Sequence, residues 1–277
     1  MTGSVVFVGA GPGDPELLTL KAYRAIERAD VVLYDSLVGT AIIDDLPNET
    51  ELIPCGKDRF SAKTRQARIN ELLVERARAG QAVVRLKGGD PTLFGRLGEE
   101  IGRLQNHGIP YEVVPGVTAA TGASAAIGLS LTHRDLAGGV TLISGHQAPD
   151  KQVDPPTWRA LVERQHTLVI YMGVARLGRI SETLLMHGMA AETPVAIVER
   201  ATLPDQSLTV DRLDRIVDAA NEADVQSPAL ILVGQIVSLL SGVDRQSAQR
   251  RHESDTEPLA SLLGVGDAAG STTGGAP

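Results

Sequence analysis

Short apolar runs rich in valine and isoleucine recur along the chain, and between them apolar residues stand three and four positions apart. The runs are continuous rather than alternating, which indicates strands that are covered on both faces. Strands that alternate with amphipathic helices predict an α/β fold with largely parallel sheets. The nine predicted strands span residues 4–9, 30–35, 51–56, 82–87, 111–116, 139–144, 166–173, 193–200 and 228–234.

The series is interrupted after the fifth run by residues 116–138, a stretch of small residues that predicts a tightly packed helix and a loop. We place a domain junction there, which gives an N-terminal α/β domain over 1–115 and a C-terminal α/β domain over 116–242. Beyond this point the sequence is polar and then rich in Gly, Ser, Thr and Ala, a composition that does not form a core. We therefore expect a disordered tail over 243–277.

Composition and charge narrow the function. The chain has 277 residues, a formal net charge of −8 and 3% aromatic residues, which disfavours nucleic-acid binding but permits a local basic patch for a small anion. Cys55 is the only cysteine, so no internal disulfide is possible. There is no signal-peptide pattern, and no apolar run reaches the ~18 residues of a membrane span. We expect a cytoplasmic protein with no membrane partner. The six histidines show no paired spacing, so no metal site is predicted.

The first predicted strand leads into a glycine loop, "VGAGPGDPELL", at residues 8–18. A dinucleotide-binding loop would carry a third glycine at position 14, where this chain has Asp14. Pro12 removes a backbone donor and Asp14 adds a carboxylate, so the loop is unsuited to a bound phosphate. Asp14 followed by Pro15 also predicts a helix that starts directly after the glycines. A Rossmann oxidoreductase, which Asp35 at the end of the second strand would suit, is the minority interpretation.

The same pattern returns at residues 85–96, "RLKGGDPTLFGR", where a strand, two glycines and Asp-Pro precede a helix. Open α/β sheets bind their ligands at the carboxyl ends of parallel strands. Two backbone-lined turns at that edge predict a binding site for a cofactor that carries no phosphate.

These two loops are followed by "VVPGVTAATGASAAIGLSLTHRD", "YMG" and "PALILVGQIV", in the order and spacing of a known family. Over about residues 4–240 the chain resembles the tetrapyrrole methylases that use S-adenosylmethionine (SAM), and among them the uroporphyrinogen-III C-methyltransferases. The resemblance implies two α/β domains with mostly parallel sheets, SAM in the cleft between them, and a homodimer. It also implies methylation of uroporphyrinogen III at C2 and C7 to precorrin-2, a step towards sirohaem and cobalamin.

The resemblance further implies which residues hold the cofactor. Two glycines permit close backbone approach, an aspartate suits the cationic amino group or the ribose hydroxyls, and a methionine offers a soft apolar contact. A plain turn at the glycines and core filling by the methionine are the alternatives. The positions that line the SAM pocket in this family are here Pro12, Gly88, Gly89, Asp90, Leu93, Thr118, Ala119, Met172 and Ala201, the last of which is usually glycine in the family.

On the substrate side, the resemblance assigns Arg96 and Arg134 to the carboxylates of the tetrapyrrole, which arginine can bind bidentately. For Arg134, an ion pair with the next residue is the alternative. Asp35 and Lys57 match family positions proposed as proton acceptor and donor, while a cap and a solvated lysine are the alternatives. Glu99 stands three residues after Arg96 on the predicted helix, where it can orient that side chain.

Residues 56–70 depart from the family pattern, because several of its usual glycine and histidine positions between 58 and 62 are replaced. The segment is strongly basic, so it either binds substrate carboxylates or is a solvated helix start. This departure leaves open a second interpretation, a tetrapyrrole methylase that acts on a later corrinoid precursor. A non-catalytic SAM-binding protein is a third, which the substrate-side cations disfavour.

Overall fold

The first half of the chain forms a five-stranded parallel sheet. The computed structural model describes residues 3–56, 62–145 and 158–242. The strands of the first sheet are β1 (Ser4–Gly9), β2 (Val31–Tyr34), β3 (Glu51–Pro54), β4 (Ala82–Lys87) and β5 (Tyr111–Val114). Their order is β3-β2-β4-β1-β5, and each pairing is parallel.

The second half forms a mixed sheet. Its strands are β6 (Val140–Ser144), β7 (Thr167–Tyr171), β8 (Pro194–Glu199), β9 (Ser207–Arg212) and β10 (Ala229–Val233). Their order is β6-β7-β10-β8-β9, and β6–β7 is the parallel pairing among three antiparallel ones. Largely parallel pairing is thus confirmed for the described chain as a whole, but the second sheet is mainly antiparallel. The short connection between β8 and β9 explains part of this, because a parallel pair needs a long crossover.

All nine predicted strands are present within a residue or two of their predicted ends, and β9 is an additional strand. It forms one edge of the second sheet and is half-buried along its whole length. Its sequence, "SLTVDR", alternates apolar and polar residues. A continuous apolar run marks a strand that is covered on both faces, so this alternating edge strand was not among the nine predicted ones.

Helices cover both faces of the first sheet. The α-helices of the described residues are α1 (Leu20–Glu27), α2 (Thr40–Asp44), α3 (Ala62–Arg78), α4 (Leu97–Gln105), α5 (Ala119–Ala126), α6 (Trp158–Glu163), α7 (Leu177–Met186) and α8 (Ile216–Glu222). α3 and α4 pack on one face of the first sheet, and α1 and α2 pack on the other. Within this part of the chain, none of the helices combines the length and the apolar character needed to cross a membrane.

The helix predicted to start at Asp14 starts later. Asp14 does act as a cap, because its Oδ1 accepts the N–H of Glu16 at 2.9 Å. It caps only a single 3-10 turn, Pro15–Leu17, after which the backbone is extended at the next residue. Thr19 is a second capping residue, and α1 begins after it with the Thr19 hydroxyl accepting the N–H of Ala22 at 3.0 Å.

The two sheets fall on either side of the predicted domain junction. The first ends at Val114 and the second begins at Val140, with α5 between them as the predicted helix of small residues. α5 packs with the second sheet through Ala120 and Ala123. The exact boundary at residue 116 stays a prediction, and the predicted tail over 243–277 lies outside the described residues.

Candidate functional site

The two glycine loops that the sequence repeats are paired in space. β1 and β4 are neighbours in the first sheet, so the loops that follow them leave the sheet side by side. The N–H of Gly89 donates to the carbonyl of Gly11 at 2.6 Å, and the N–H of Gly11 donates to the carbonyl of Gly89 at 3.2 Å. The repeated motif therefore forms one backbone-paired structure at the carboxyl edge of the sheet.

A third loop, which follows β5, packs against this pair without any intervening side chain. A Cβ atom on Gly116 would lie 2.8 Å from the Cα of Gly9 and closer still to the carbonyl oxygen of Gly89. The N–H of Gly116 donates to Oδ2 of Asp90 at 3.0 Å, and Oδ1 of Asp90 accepts the N–H of Thr92 at 2.7 Å. Asp90 thus holds the loops together, and its contact with a cofactor stays a prediction.

Tyr171, at the end of β7, joins the second domain to these loops. Its hydroxyl lies 2.7 Å from Oγ1 of Thr118 and accepts the N–H of Ala120, at the start of α5, at 3.0 Å. Its ring lies against Phe94, with 5.0 Å between the ring centroids. The loop after β4, the start of α5 and the end of β7 therefore meet around one side chain. Sequence reasoning missed Tyr171, although "YMG" contains it.

Left-handed backbone conformations concentrate around the same loops. Non-glycine residues with positive φ are uncommon, and they collect at functional sites because the surrounding structure must hold them there. Five of the seven such residues of the described chain are Phe94 (54°), Arg96 (55°), Met172 (53°), Arg200 (42°) and Thr202 (71°). Of these, Met172 is 53% exposed, which contradicts core filling as its role.

Contacts between the first glycine loop and later parts of the chain concern two further cofactor candidates, Pro12 and Ala201. The ring of Pro12 packs on α5, where a Cβ atom on Gly122 would lie 2.5 Å from it. Oγ1 of Thr202 accepts the N–H of Asp14 at 3.1 Å, which brings its neighbour Ala201 beside the first glycine loop. The structure thus brings Pro12 against α5 and Ala201 to the first glycine loop. Their contact with a cofactor stays a prediction.

A cluster of buried charges lies under the adjoining part of the first sheet. On the face that α3 and α4 cover, β4 changes from apolar Val83 to Arg85 and Lys87, which alternate onto the same side. Arg85 contacts Asp35, at the end of β2, through a short ion pair, and its Nε lies 3.2 Å from Oε1 of Glu100 on α4. Lys87 Nζ lies 3.1 Å from Oε2 of Glu100 and 3.9 Å from Oδ2 of Asp35. We call Asp35, Arg85, Lys87 and Glu100 the buried charge cluster.

Gln66 on α3 completes this network, because its Nε2 donates to Oε1 of Glu100 at 3.0 Å. Arg85 also donates through Nη1 to the carbonyls of Leu33 and Leu86, both at 3.3 Å. Sequence reasoning missed Arg85, Lys87 and Glu100. Two charged residues in an otherwise apolar strand were the available signal, since charges are almost never fully buried without partners.

The surroundings of the cluster shift the pKa values of its members. Burial lowers the pKa of Lys87, as does the neighbouring charge of Arg85, and the two carboxylates only partly offset this. Burial would also lower the pKa of Arg85, but Asp35 and Glu100 outweigh it and raise that pKa. Burial raises the pKa of the Cys55 thiol, beside the cluster, to about 11, so it stays protonated at neutral pH.

A pocket of about 240 Å³ opens above the cluster. It is lined by four cationic side chains, from Arg65, Arg85, Lys87 and Arg96, and by the carboxylate of Asp35. Because the whole chain has a formal net charge of −8, this concentration of cations is local. The pocket suits an anionic molecule.

Arg96 and Glu99 form the ion pair that the sequence predicts. Nε and Nη2 of Arg96 lie 2.8 and 2.7 Å from the two carboxylate oxygens of Glu99, immediately before and within the first turn of α4. The hydrogen bond from Arg96 to Glu99 raises the pKa of Arg96 above its ordinary value, so the guanidinium stays charged. Because Arg96 lines the pocket, Glu99 fixes the direction of a pocket cation.

Arg134, which the resemblance assigns to the substrate carboxylates, is not placed at the pocket. Arg134 is exposed on the loop after α5 and is not part of the pocket lining. The alternative for it was an ion pair with Asp135, but no ion pair joins these two described residues. Lys57 lies outside the described residues. Among the residues that are described, no group of three or more His, Cys, Asp or Glu side chains is placed to hold a metal ion.

The fold and the site define a class of protein. Residues 4–217 match the family model of the tetrapyrrole (corrin/porphyrin) methylases, and the chain belongs to this family.

Individual proteins that are similar to this chain agree with the family match. The chain is 49% identical over 237 residues to the S-adenosyl-L-methionine-dependent uroporphyrinogen III methyltransferase of Methanosarcina barkeri, a match covering 86% of this chain and 93% of that protein. It is 47% identical over 238 residues to the siroheme synthase of Hahella chejuensis, and this match covers 86% of this chain but only 50% of that longer protein. Among solved structures, the uroporphyrin-III C-methyltransferase of Thermus thermophilus in complex with S-adenyl homocysteine is similar, with a TM-score of 0.74 and 43% identity over 86% of this chain and 100% of that one.

Proposed function

We propose that the chain is a SAM-dependent C-methyltransferase that methylates uroporphyrinogen III at C2 and C7 and forms precorrin-2, on the way to sirohaem and cobalamin. The observation that carries the proposal is the cation-rich pocket beside the paired glycine loops. Uroporphyrinogen III carries eight carboxylates, and arginine and lysine side chains bind such groups. The family match and the relatives support the same chemistry.

The paired glycine loops and the start of α5 would hold SAM, and their chemistry fits it. Gly89 has a φ of +67°, a backbone conformation that favours glycine, and it lies close to the backbone nitrogen of Ala119 at the start of α5. Pro12 offers no N–H, and Asp14 and Asp90 place carboxylates beside the loops, an environment for a cation rather than for a phosphate. When bound, SAM supplies a methyl group that is already activated on a positively charged sulfur.

The chain's own residues then act mainly by positioning. Arg96, held by Glu99, orients a carboxylate arm of the macrocycle over the pocket. Asp35 is the proton acceptor, because methylation of a pyrrole carbon leaves a positive charge that is discharged when a neighbouring carbon loses a proton. On the ground of the family resemblance, Arg134 is proposed as a further partner of the substrate carboxylates and Lys57 as the proton donor.

Assembly and location complete the proposal. A homodimer is proposed, and the half-buried edge strand β9 is a surface that a second copy can cover. A cytoplasmic location is proposed because the chain has a single cysteine, Cys55, and therefore no internal disulfide. Light scattering of the purified protein tests whether it is a homodimer.

The decisive assay is anaerobic incubation with uroporphyrinogen III and methyl-labelled SAM. Transfer of two methyl groups to each macrocycle is expected, and a chelator is expected to leave the rate unchanged because the sulfonium already activates the methyl group. SAM binding without transfer to uroporphyrinogen III would contradict the proposal. Transfer to a later corrinoid precursor instead would establish the alternative substrate.

Replacement of Tyr171 by Phe is expected to weaken SAM binding about five- to tenfold. The substitution removes the hydroxyl that holds Thr118 and the N–H of Ala120, and a lost hydrogen bond of this kind is worth ~1 kcal/mol. Isothermal titration calorimetry measures the change in Kd. Tyr111→Phe is the matched control, because it removes an exposed hydrogen bond from Gln105 at the amino end of β5, opposite to the end that leads into the Gly116 loop. Equal SAM affinity of Tyr171→Phe and the wild type would contradict the placement of SAM at this side chain.

A further inference from the structure

Glu100 is the most enclosed charge of the site. Its side chain has no exposed surface, and it does not line the pocket. The three side chains that it binds, those of Arg85, Lys87 and Gln66, all do line the pocket. Glu100 therefore reaches the pocket only through the groups that it holds.

The buried charge cluster is balanced. Its two cations, Arg85 and Lys87, each contact both carboxylates, Asp35 and Glu100. The Asp35 side chain is 29% exposed at the pocket, whereas Glu100 is closed off behind the cations. In an interior of low dielectric constant, each charge depends on the others, and the removal of one alters the field at the rest.

We propose that Glu100 is a positioning residue of this site, which holds Arg85 and Lys87 in place and sets the net charge that these cations present to Asp35. The proposal rests on the proposed function, because it takes Asp35 as the proton acceptor. Arg85 and Lys87 contact Glu100 as well as Asp35. The Asp35 carboxylate is therefore held in a fixed direction, while Glu100 neutralises part of the positive charge that would otherwise act on Asp35. A network that served only to attach α4 to the first sheet would not set the charge that Arg85 and Lys87 present to Asp35.

The two roles are distinguished by the pH dependence of kcat. Among the described residues, the charged or titratable groups that face Asp35 are Arg85 and Lys87 from β4, Glu100 from α4, Arg65 from α3, and the thiol of Cys55 after β3, with Arg96 across the pocket. The arginines stay charged, and the thiol stays protonated, over the acidic pH range. Changes at Glu100 and Lys87 therefore isolate the charge balance of the cluster.

Opposite shifts are expected from two single substitutions. Glu100→Gln removes a negative charge behind the cations, so Asp35 ionises more easily and the acidic limb of the profile moves to lower pH by about 0.5 to 1 unit. A less basic Asp35 also lowers kcat, by up to about tenfold. Lys87→Met removes a positive charge, and its acidic limb moves to higher pH. In the double variant the two shifts largely cancel, because the balance of charges is restored.

The measurement is the pH profile of methyl transfer under saturating SAM, with Glu51→Gln as the matched control. Glu51 forms an ion pair with Arg76 at the other end of the first sheet, so its loss is expected to leave the limb unmoved. Carboxylates of the substrate ionise in the same pH range, but they are identical for every variant. If Glu100→Gln does not fold, the double variant is compared with Lys87→Met. The acidic limb of the double variant is then expected at lower pH than that of Lys87→Met.

A second readout does not depend on turnover. Protein labelled with carbon-13 at aspartate carboxyls, with the Asp35 signal assigned by its loss in Asp35→Asn, reports the ionisation of that side chain directly. The same opposite shifts are expected. If the wild type fails to methylate uroporphyrinogen III, the proposed function is wrong, and this titration still decides the role of Glu100. The proposal would be overturned if the acidic limb of the pH profile and the titration of the Asp35 signal stayed unmoved, or if they moved in the same direction for both single variants.

Discussion

Replacement of Asp35 by Asn is expected to lower kcat about 10²- to 10⁴-fold, the range typical for loss of a general base. Asparagine keeps the shape of the side chain but cannot take a proton. It also removes the carboxylate that Arg85 contacts directly and that lies 3.9 Å from Lys87. The SAM Kd is expected to stay within about twofold, because Asp35 lies at the charged pocket and not at the paired glycine loops. Single-turnover transfer from labelled SAM measures the chemical step.

Asp30→Asn is the matched control for this substitution. Asp30 precedes the same strand, β2, and its carboxylate accepts the N–H of Ala82 at 2.7 Å at the opposite end of the sheet. Its loss is expected to change stability slightly and kcat by less than about threefold. A kcat of Asp35→Asn within threefold of the wild type would remove Asp35 from the proposed mechanism.

Replacement of Gly116 by Ala is expected to weaken SAM binding at least tenfold, about 1.4 kcal/mol, and to lower the free energy of unfolding by about 1–3 kcal/mol. The new methyl group would lie 2.8 Å from the Cα of Gly9 and closer still to the carbonyl oxygen of Gly89. Both atoms belong to the backbone, so neither can move aside as a flexible side chain does. The three loops must separate, and their separation breaks the pairing of Gly11 with Gly89.

Gly102→Ala provides the contrast. Gly102 lies within α4, and a Cβ atom there has no neighbour within 4 Å. Alanine at this position is expected to raise the free energy of unfolding by about 0.5–1 kcal/mol, since it favours the helix. Denaturation and calorimetric titration of both variants test the comparison. Unchanged SAM affinity in Gly116→Ala would show that the cofactor does not depend on the packed loops.

Much of the architecture could be predicted from the sequence because the signals are local. Continuous apolar runs located nine strands, and the repeated glycine loops marked the carboxyl edge of the first sheet, where the two loops pair. Helix starts were less secure. Asp14 and Pro15 form a good cap locally, yet Thr19 competes with them a few residues later, and α1 begins there.

The candidate site was predictable where residues follow a family motif and was missed where they do not. Asp35 and Arg96 were identified in this way, and the structure brings both to one pocket. Glu99 was identified by its helical spacing from Arg96. Tyr171 and Glu100 were not identified. A tyrosine at the end of a strand and a glutamate in the first turn of a helix are ordinary by sequence, and their importance comes from partners more than ten residues away.

The sequence by itself determined nine of the ten described strands, the two glycine loops and the family, because strand periodicity, turn chemistry and motif spacing are properties of neighbouring residues. Only the tertiary structure decided that the two glycine loops bond to each other, that the second sheet is mainly antiparallel, and that Arg85 and Lys87 are buried against Asp35 and Glu100. The physical reason is that burial of charge is tolerated only where separate elements converge. That convergence depends on how β2, β4 and α4 pack, which no local pattern records.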